Sequence, residues 1–183
     1  MPNMKLVVLD RDGVINYDSP QFIKNPDEWK PIPGSLEAIT MLNQSGFRVA
    51  LATNQSGIER GLFDMATLNA IHDKMHRALG QLGGRIDALF YCPHSADSNC
   101  ECRKPKCGML EEISRRFGFD LKDVPNIGDS LRDLQAGAIM GMQNILVRTG
   151  KGEATLTANK LPPNTWVCAD LAEAAQRIIA EQG

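Results

Sequence analysis

Six short β-like runs alternate with stretches of helical periodicity, and this alternation restricts the fold more than any other feature of the chain. The runs are residues 5–9, 47–52, 86–91, 124–127, 145–147 and a weaker one at 166–168. Between them, apolar residues recur at helical spacing. Leu36, Ile39 and Leu42 form one stripe that stops near Gly46, and Leu68, Ile71, Met75, Leu79 and Leu82 form another behind Asp64 as the cap. Leu110, Ile113 and Phe117 mark a third helix, residues 131–140 a fourth, and Asp170 caps the last. The first run is continuously apolar, and such strands occur where both sheet faces are covered. Alternating β and α units then imply an α/β fold, a doubly wound, Rossmann-like parallel sheet with helices on both faces. At 183 residues there is length for one well-buried core and not for two ordinary domains.

Ligands of such sheets bind in the crevice at the carboxyl ends of the strands, so the residues at strand exits carry the functional reading. The first strand leaves through Asp10-Arg11-Asp12-Gly13. One carboxylate there can attack phosphorus, and a second, one residue removed, can protonate the leaving oxygen. The second strand leaves through Thr53-Asn54-Gln55-Ser56-Gly57, a cluster of hydroxyl, amide and backbone donors suited to phosphate oxygens. The fourth leaves through Gly128-Asp129-Ser130-Leu131-Arg132-Asp133. Asp129 can supply a carboxylate for magnesium beside Asp10, with Asp133 as its supporting partner one helical turn on. Arg103-Lys104-Pro105 stands before the third helix, Lys104 suited to a phosphoryl group and Arg103 to a second anion. Taken singly, each motif has a plainer reading as a turn, a helix cap or an exposed basic pair.

Taken together and in this order, the motifs resemble the haloacid dehalogenase superfamily of phosphatases over residues 6–148. The resemblance implies Asp10 as nucleophile and Asp12 as general acid and base, with Thr53 and Lys104 steadying the phosphoryl group. It also implies magnesium held by Asp10, the Asp12 backbone carbonyl and Asp129, and little or no cap domain.

Four of the five cysteines fall in one short segment. Cys92-Pro93-His94 and Cys100-Glu101-Cys102 offer three sulfurs and one imidazole, the donor set of a closed structural zinc site. Cys107 and Cys168 are read as non-ligating. Zinc in the loop 92–102 would fix the segment that aims Arg103 and Lys104. Such a loop resembles two branches of the superfamily, one acting on a sugar bisphosphate and one on histidinol phosphate. Residues 53–61 and 147–152 look like the sugar bisphosphate branch, although Ser130 stands where some of its members have lysine. That branch implies a small-molecule sugar phosphate as substrate. Asp18, Ser19, Pro20 and Gln21 would contact the sugar, with Asn54, Gln55, Ser56 and Arg103 completing the substrate site.

Composition weighs against other classes. A net charge of −2, no basic block and 5% aromatic residues give no footprint for nucleic acid, and no apolar run approaches membrane-spanning length. The chain is therefore expected to be a cytoplasmic monomer, with no leader and no nucleic-acid or membrane partner. A zinc-stabilised binding module is the non-enzymatic alternative. His72 and His76, a helical turn apart without the glutamate of a zinc protease, are expected on the surface, and Gly150-Lys151-Gly152 lacks the flanks of a P-loop.

Overall fold

The computed structural model describes residues 4–182. Met1 to Asn3, on which the expectation of no leader partly rests, and Gly183 lie outside the described residues. The strands are β1 (Lys5–Leu9), β2 (Phe47–Asn54), β3 (Ala88–Cys92), β4 (Pro125–Gly128), β5 (Gln143–Val147) and β6 (Trp166–Cys168). They form one sheet in the order β3-β2-β1-β4-β5-β6, and every pairing is parallel. The helices are α1 (Ser35–Gln44), α2 (Met65–Gln81), α3 (Gly108–Phe117), α4 (Leu131–Ile139), α5 (Gly152–Thr157) and α6 (Leu171–Gln182).

β1 is unbroken in apolar character because it serves two cores. Val7 and Leu9 pack with Ile39 of α1, Ile71 and Met75 of α2, and Ile178 of α6. Leu6 and Val8 face the opposite side, with Leu110 and Ile113 of α3 and Ala136 of α4. Each such side chain contributes roughly 1.5–3 kcal/mol of transfer free energy on burial. The strand order reverses at β1, with β2 on one side and β4 on the other, so the crevice opens above the carboxyl ends of β1 and β4. Among the described residues, no helix is long and apolar enough to cross a membrane.

The Asp64 carboxylate accepts the Thr67 N–H at 2.8 Å and starts α2 as expected. Three local expectations need correction. Leu82 does not continue the buried stripe of α2: the helix ends at Gln81, and Leu82, before the left-handed Gly83, is exposed. The third strand begins at Ala88 rather than at residue 86, because Asp87 is engaged at the sheet edge, its carboxylate accepting the Val49 N–H at 2.8 Å. Helix α5 was not expected, since its six residues carry no apolar period.

Candidate active site

Asp10 follows β1 directly and its N–H donates to the Ile127 carbonyl of β4 at 3.0 Å, which pins it at the reversal of strand order. Carboxylate oxygens of Asp10, Asp129 and Asp133 all lie within 4.8 Å of one another. Lys104 reaches into this cluster from the loop before α3. Its Nζ donates to the Ala52 carbonyl at 2.5 Å, to Asp133 Oδ1 at 3.0 Å and to Asp10 Oδ1 at 3.4 Å. Burial would drive off the lysine proton, but Asp10 and Asp133 outweigh it and hold the ammonium charged.

The other oxygen of Asp133 is also engaged. It accepts the N–H groups of Asp129 and Ser130, each at 3.2 Å, and the Ser130 hydroxyl at 3.0 Å. Burial opposes ionisation of Asp133, yet Lys104 dominates and keeps it a carboxylate. Asp10 and Asp129 are left with too little positive charge. Burial first, then repulsion from neighbouring carboxylates, raises the proton affinity of both. Two carboxylate ligands that one shared lysine neutralises incompletely, at a polar cleft, fit a small hard cation such as magnesium.

Asp129 is placed by the segment after β5 as much as by β4. The Lys151 N–H donates to Asp129 Oδ2 at 2.9 Å, and the Thr155 hydroxyl donates to the Asp129 carbonyl at 2.9 Å. Gly13 (φ +83°) and Gly150 (φ +56°) flank the carboxylate, where a Cβ would stand 2.0 Å and 2.3 Å from Oδ2. Both glycines are required by the left-handed backbone and by the close approach.

Asp12 faces a different set of donors. Its Oδ1 accepts Arg11 Nε–H at 2.8 Å and the Asn16 amide at 2.9 Å, and its Oδ2 accepts the Gln55 amide at 3.2 Å. Arg11 Nη2 lies 2.8 Å from the same Oδ1, an ionic contact outside hydrogen-bond geometry. Burial raises the Asp12 pKa, but the Arg11 charge and these donors outweigh it and hold the group ionised. Arg11 is fully buried and reaches His72, which is buried as well, contrary to the expectation of a surface residue. Position 72 follows Leu68 by one helical turn and so shares the inward face of α2. His76 is exposed as expected.

These groups floor a cleft of about 280 Å³. Asp10, Asp12, Thr53, Asn54, Ser56, Arg103 and Asp129 line it, with Asp18, Ser19 and Pro20 from the loop after β1. Gln21 instead lines a neighbouring hollow with Tyr17 and Lys24. Gln55 lies behind the cleft, donating also to the Thr53 hydroxyl at 3.0 Å. Asn54 clamps the Lys104 backbone, accepting its N–H at 3.1 Å and donating to its carbonyl at 3.3 Å. Arg60, Arg132, Lys151 and Phe22 also line the cleft, although no role was assigned to them from the sequence. Lys151 stands at the exit of β5, so the strand-exit rule could have found it.

Cys92 closes β3, and the following loop returns Cys100 and Cys102 to it. Four of the sulfur and imidazole contacts among Cys92, His94, Cys100 and Cys102 measure 3.4–3.6 Å, and Cys92–Cys102 is shorter at 2.7 Å. A tetrahedral zinc with these ligands has edges of roughly 3.5–3.8 Å. Burial would raise the Cys100 thiol, but the Arg103 N–H and neighbouring donors outweigh it and bring it down to about 6. Burial instead holds the Cys92 and Cys102 thiols up, and it is by the closeness of their donor atoms that the four residues could hold zinc; Arg103 Nη1 ties the loop together by donating to the His94 carbonyl at 3.2 Å.

A parallel sheet with an aspartate at the strand reversal, a second aspartate two residues on and a lysine-neutralised acid cluster defines a phosphoryl-transfer hydrolase. Two family profiles match, HAD-hydrolase-like over residues 101–174 and polynucleotide kinase 3 phosphatase over residues 5–132. The chain is 59% identical to the D-glycero-β-D-manno-heptose-1,7-bisphosphate 7-phosphatase of Bordetella bronchiseptica, over 97% of this chain and 99% of that one. It is 49% identical to the Pseudomonas putida enzyme of the same name, over 96% and 100%. The crystal structure of the B. bronchiseptica phosphatase, complexed with magnesium and phosphate, superposes with a TM-score of 0.96 over 97% of this chain and 99% of that one. The chain belongs to this family of HAD-like phosphatases.

Proposed function

We propose that the protein removes the 7-phosphate of D-glycero-D-manno-heptose 1,7-bisphosphate through an aspartyl phosphate on Asp10. The observation that carries this reading is the charge layout of the cleft. An acidic floor with one buried lysine faces a lining that includes Arg60, Arg103, Arg132 and Lys151. The names of the relatives support the substrate.

An oxygen of Asp10 attacks the phosphorus, and the bond from phosphorus to the sugar oxygen breaks. Asp12 gives that oxygen its proton. The approaching phosphate dianion raises the proton affinity of Asp12, so acid and substrate arrive together. Water then attacks the aspartyl phosphate, Asp12 takes the proton of that water, and Asp10 is released. Thr53 and Lys104 hold the phosphoryl oxygens, while Asn54 and Gln55 hold Lys104 and Asp12 in place. Asp18, Ser19, Pro20 and Ser56 contact the sugar, and Arg103 grips the distal phosphate. Magnesium would be held by Asp10, Asp129 and the Asp12 carbonyl, and when bound it draws charge from the phosphoryl oxygens. The relative's complex with magnesium and phosphate supports that choice of metal.

Structural zinc on Cys92, His94, Cys100 and Cys102 belongs to the same proposal, as does a single phosphatase domain over residues 1–183 acting as a cytoplasmic monomer. Elemental analysis should find one zinc per chain after gentle dialysis. Cys100→Ser should lower that content and reduce Tm by about 5 °C, at roughly 2–4 °C per kcal/mol for a chain of this length. Zinc-free protein with the same Tm would count against the site.

Substrate choice is tested by steady-state kinetics on both heptose bisphosphate anomers and on histidinol phosphate. The cationic amine of histidinol phosphate meets the arginines and lysine of the lining, whereas a second phosphate is bound by them. Expected is a preference in kcat/KM of at least about a hundredfold for the bisphosphate, roughly 2.7 kcal/mol, narrowed by Arg103→Ala. Equal rates would retire the heptose assignment and leave the aspartyl-phosphate chemistry standing.

A further inference from the structure

Arg11 sits between the nucleophile and the general acid, yet it is fully buried and does not line the cleft. Its Nε–H is spent on Asp12 Oδ1 at 2.8 Å, and its Nη1 lies 3.0 Å from His72 Nε2. Guanidinium nitrogens only donate, so His72 Nε2 must accept and the ring proton resides on Nδ1. His72 is carried by α2, whose Leu68, Ile71, Met75 and Leu79 are all fully buried. It therefore gives Arg11 an anchor on a rigid element. The anchor has a consequence for Asp12. With Oδ1 taken by Arg11 and Asn16, only Oδ2, with its longer amide contact at 3.2 Å, is left to carry a proton.

We propose that His72 is a positioning residue: by anchoring Arg11 it holds Asp12 in the orientation that delivers a proton from Oδ2 to the leaving oxygen. This inference rests on the assignment of Asp12 as the acid in the reading above. Burial and the Arg11 charge bring the His72 pKa down to about 3, so the ring stays a neutral acceptor throughout the neutral range. A histidine that merely satisfied a buried arginine would affect stability and leave proton delivery alone.

The two roles separate by leaving group. The heptose alkoxide needs a proton to depart, whereas the phenolate of p-nitrophenyl phosphate leaves with little help, and kcat/KM covers the steps through aspartyl-phosphate formation. His72→Leu should lower kcat/KM about tenfold on the sugar bisphosphate and less than about twofold on the aryl phosphate, a fraction of the 10²–10⁴ available to proton transfer. KM should change little, and His72→Gln, whose amide oxygen can accept from Arg11, should recover most of the rate. Equal losses on both substrates, a lowered Tm with both rates intact, or no rescue by glutamine would each overturn the inference. Asp12→Asn on the same two substrates tests the underlying assignment. If it discriminates between them and His72→Leu does not, only the role of His72 fails. If it does not discriminate, the acid assignment fails with it.

Discussion

Replacing Asp10 by asparagine is expected to lower kcat by on the order of 10⁴–10⁶ while the protein folds as before. The amide is a poor nucleophile at phosphorus, and it removes a carboxylate from the magnesium position at the same time. The fold should tolerate the change for a reason visible in the site. Burial and neighbouring carboxylates already disfavour ionised Asp10, so a neutral side chain relieves repulsion with Asp129 and Asp133. Lys104 keeps Asp133 as its nearer ionic partner at 3.0 Å. Tm should therefore stay level or rise slightly in metal-free buffer. Steady-state rates in magnesium-replete buffer, beside a thermal melt, make the check. Activity above about one hundredth of wild type would end the nucleophile assignment.

Lys104→Met is expected to damage stability and catalysis together. The ammonium is buried and is the only cation in contact with the three-carboxylate cluster among the described residues. Removing one partner of a buried ion pair leaves an uncompensated charge and costs about 3–5 kcal/mol. Urea unfolding should register that loss. Adding Asp133→Asn to Lys104→Met should restore part of the stability, because one buried carboxylate goes with its lysine. It should not restore turnover, since no ammonium then holds the phosphoryl oxygens. Stability unchanged in the single variant would mean that the cluster takes up protons or cations readily enough to make Lys104 dispensable to the fold. Activity recovered in the double variant would exclude Lys104 from the chemistry.

Asp10 and Asp129 were legible because they obey a local rule. Asp10 follows a continuously apolar run, the mark of an inner strand covered on both faces, and Asp129 stands at the exit of a short β-like run. The Cys92, His94, Cys100 and Cys102 cluster was legible for a similar reason: four donors within eleven residues need little tertiary information to meet. Asp133 as a supporting carboxylate also followed from spacing, one helical turn beyond Asp129.

Other parts of the site obey no local pattern. Lys104 meets Asp10 across 94 positions of sequence, and its buried triple contact depends on how the loop before α3 packs over β2. His72 read as a surface residue because polar side chains at helical spacing usually are. Its burial is decided by Arg11, 61 residues away, whose charge must be accommodated in a closed space. Gly150 and Lys151 were legible as part of a run resembling the sugar bisphosphate branch and as a failed P-loop, but not as the seat of the Asp129 carboxylate, which they form from the exit of a strand two places from β1. Periodicity and spacing report on neighbours within a helical turn or along a strand, which is why the sheet, its inner strands and its cysteine–histidine loop were determined by sequence alone. Which buried charges touch is set by the packing of elements distant in the chain, through desolvation and Coulomb forces that act over a few ångströms of space, and only the tertiary structure decided it.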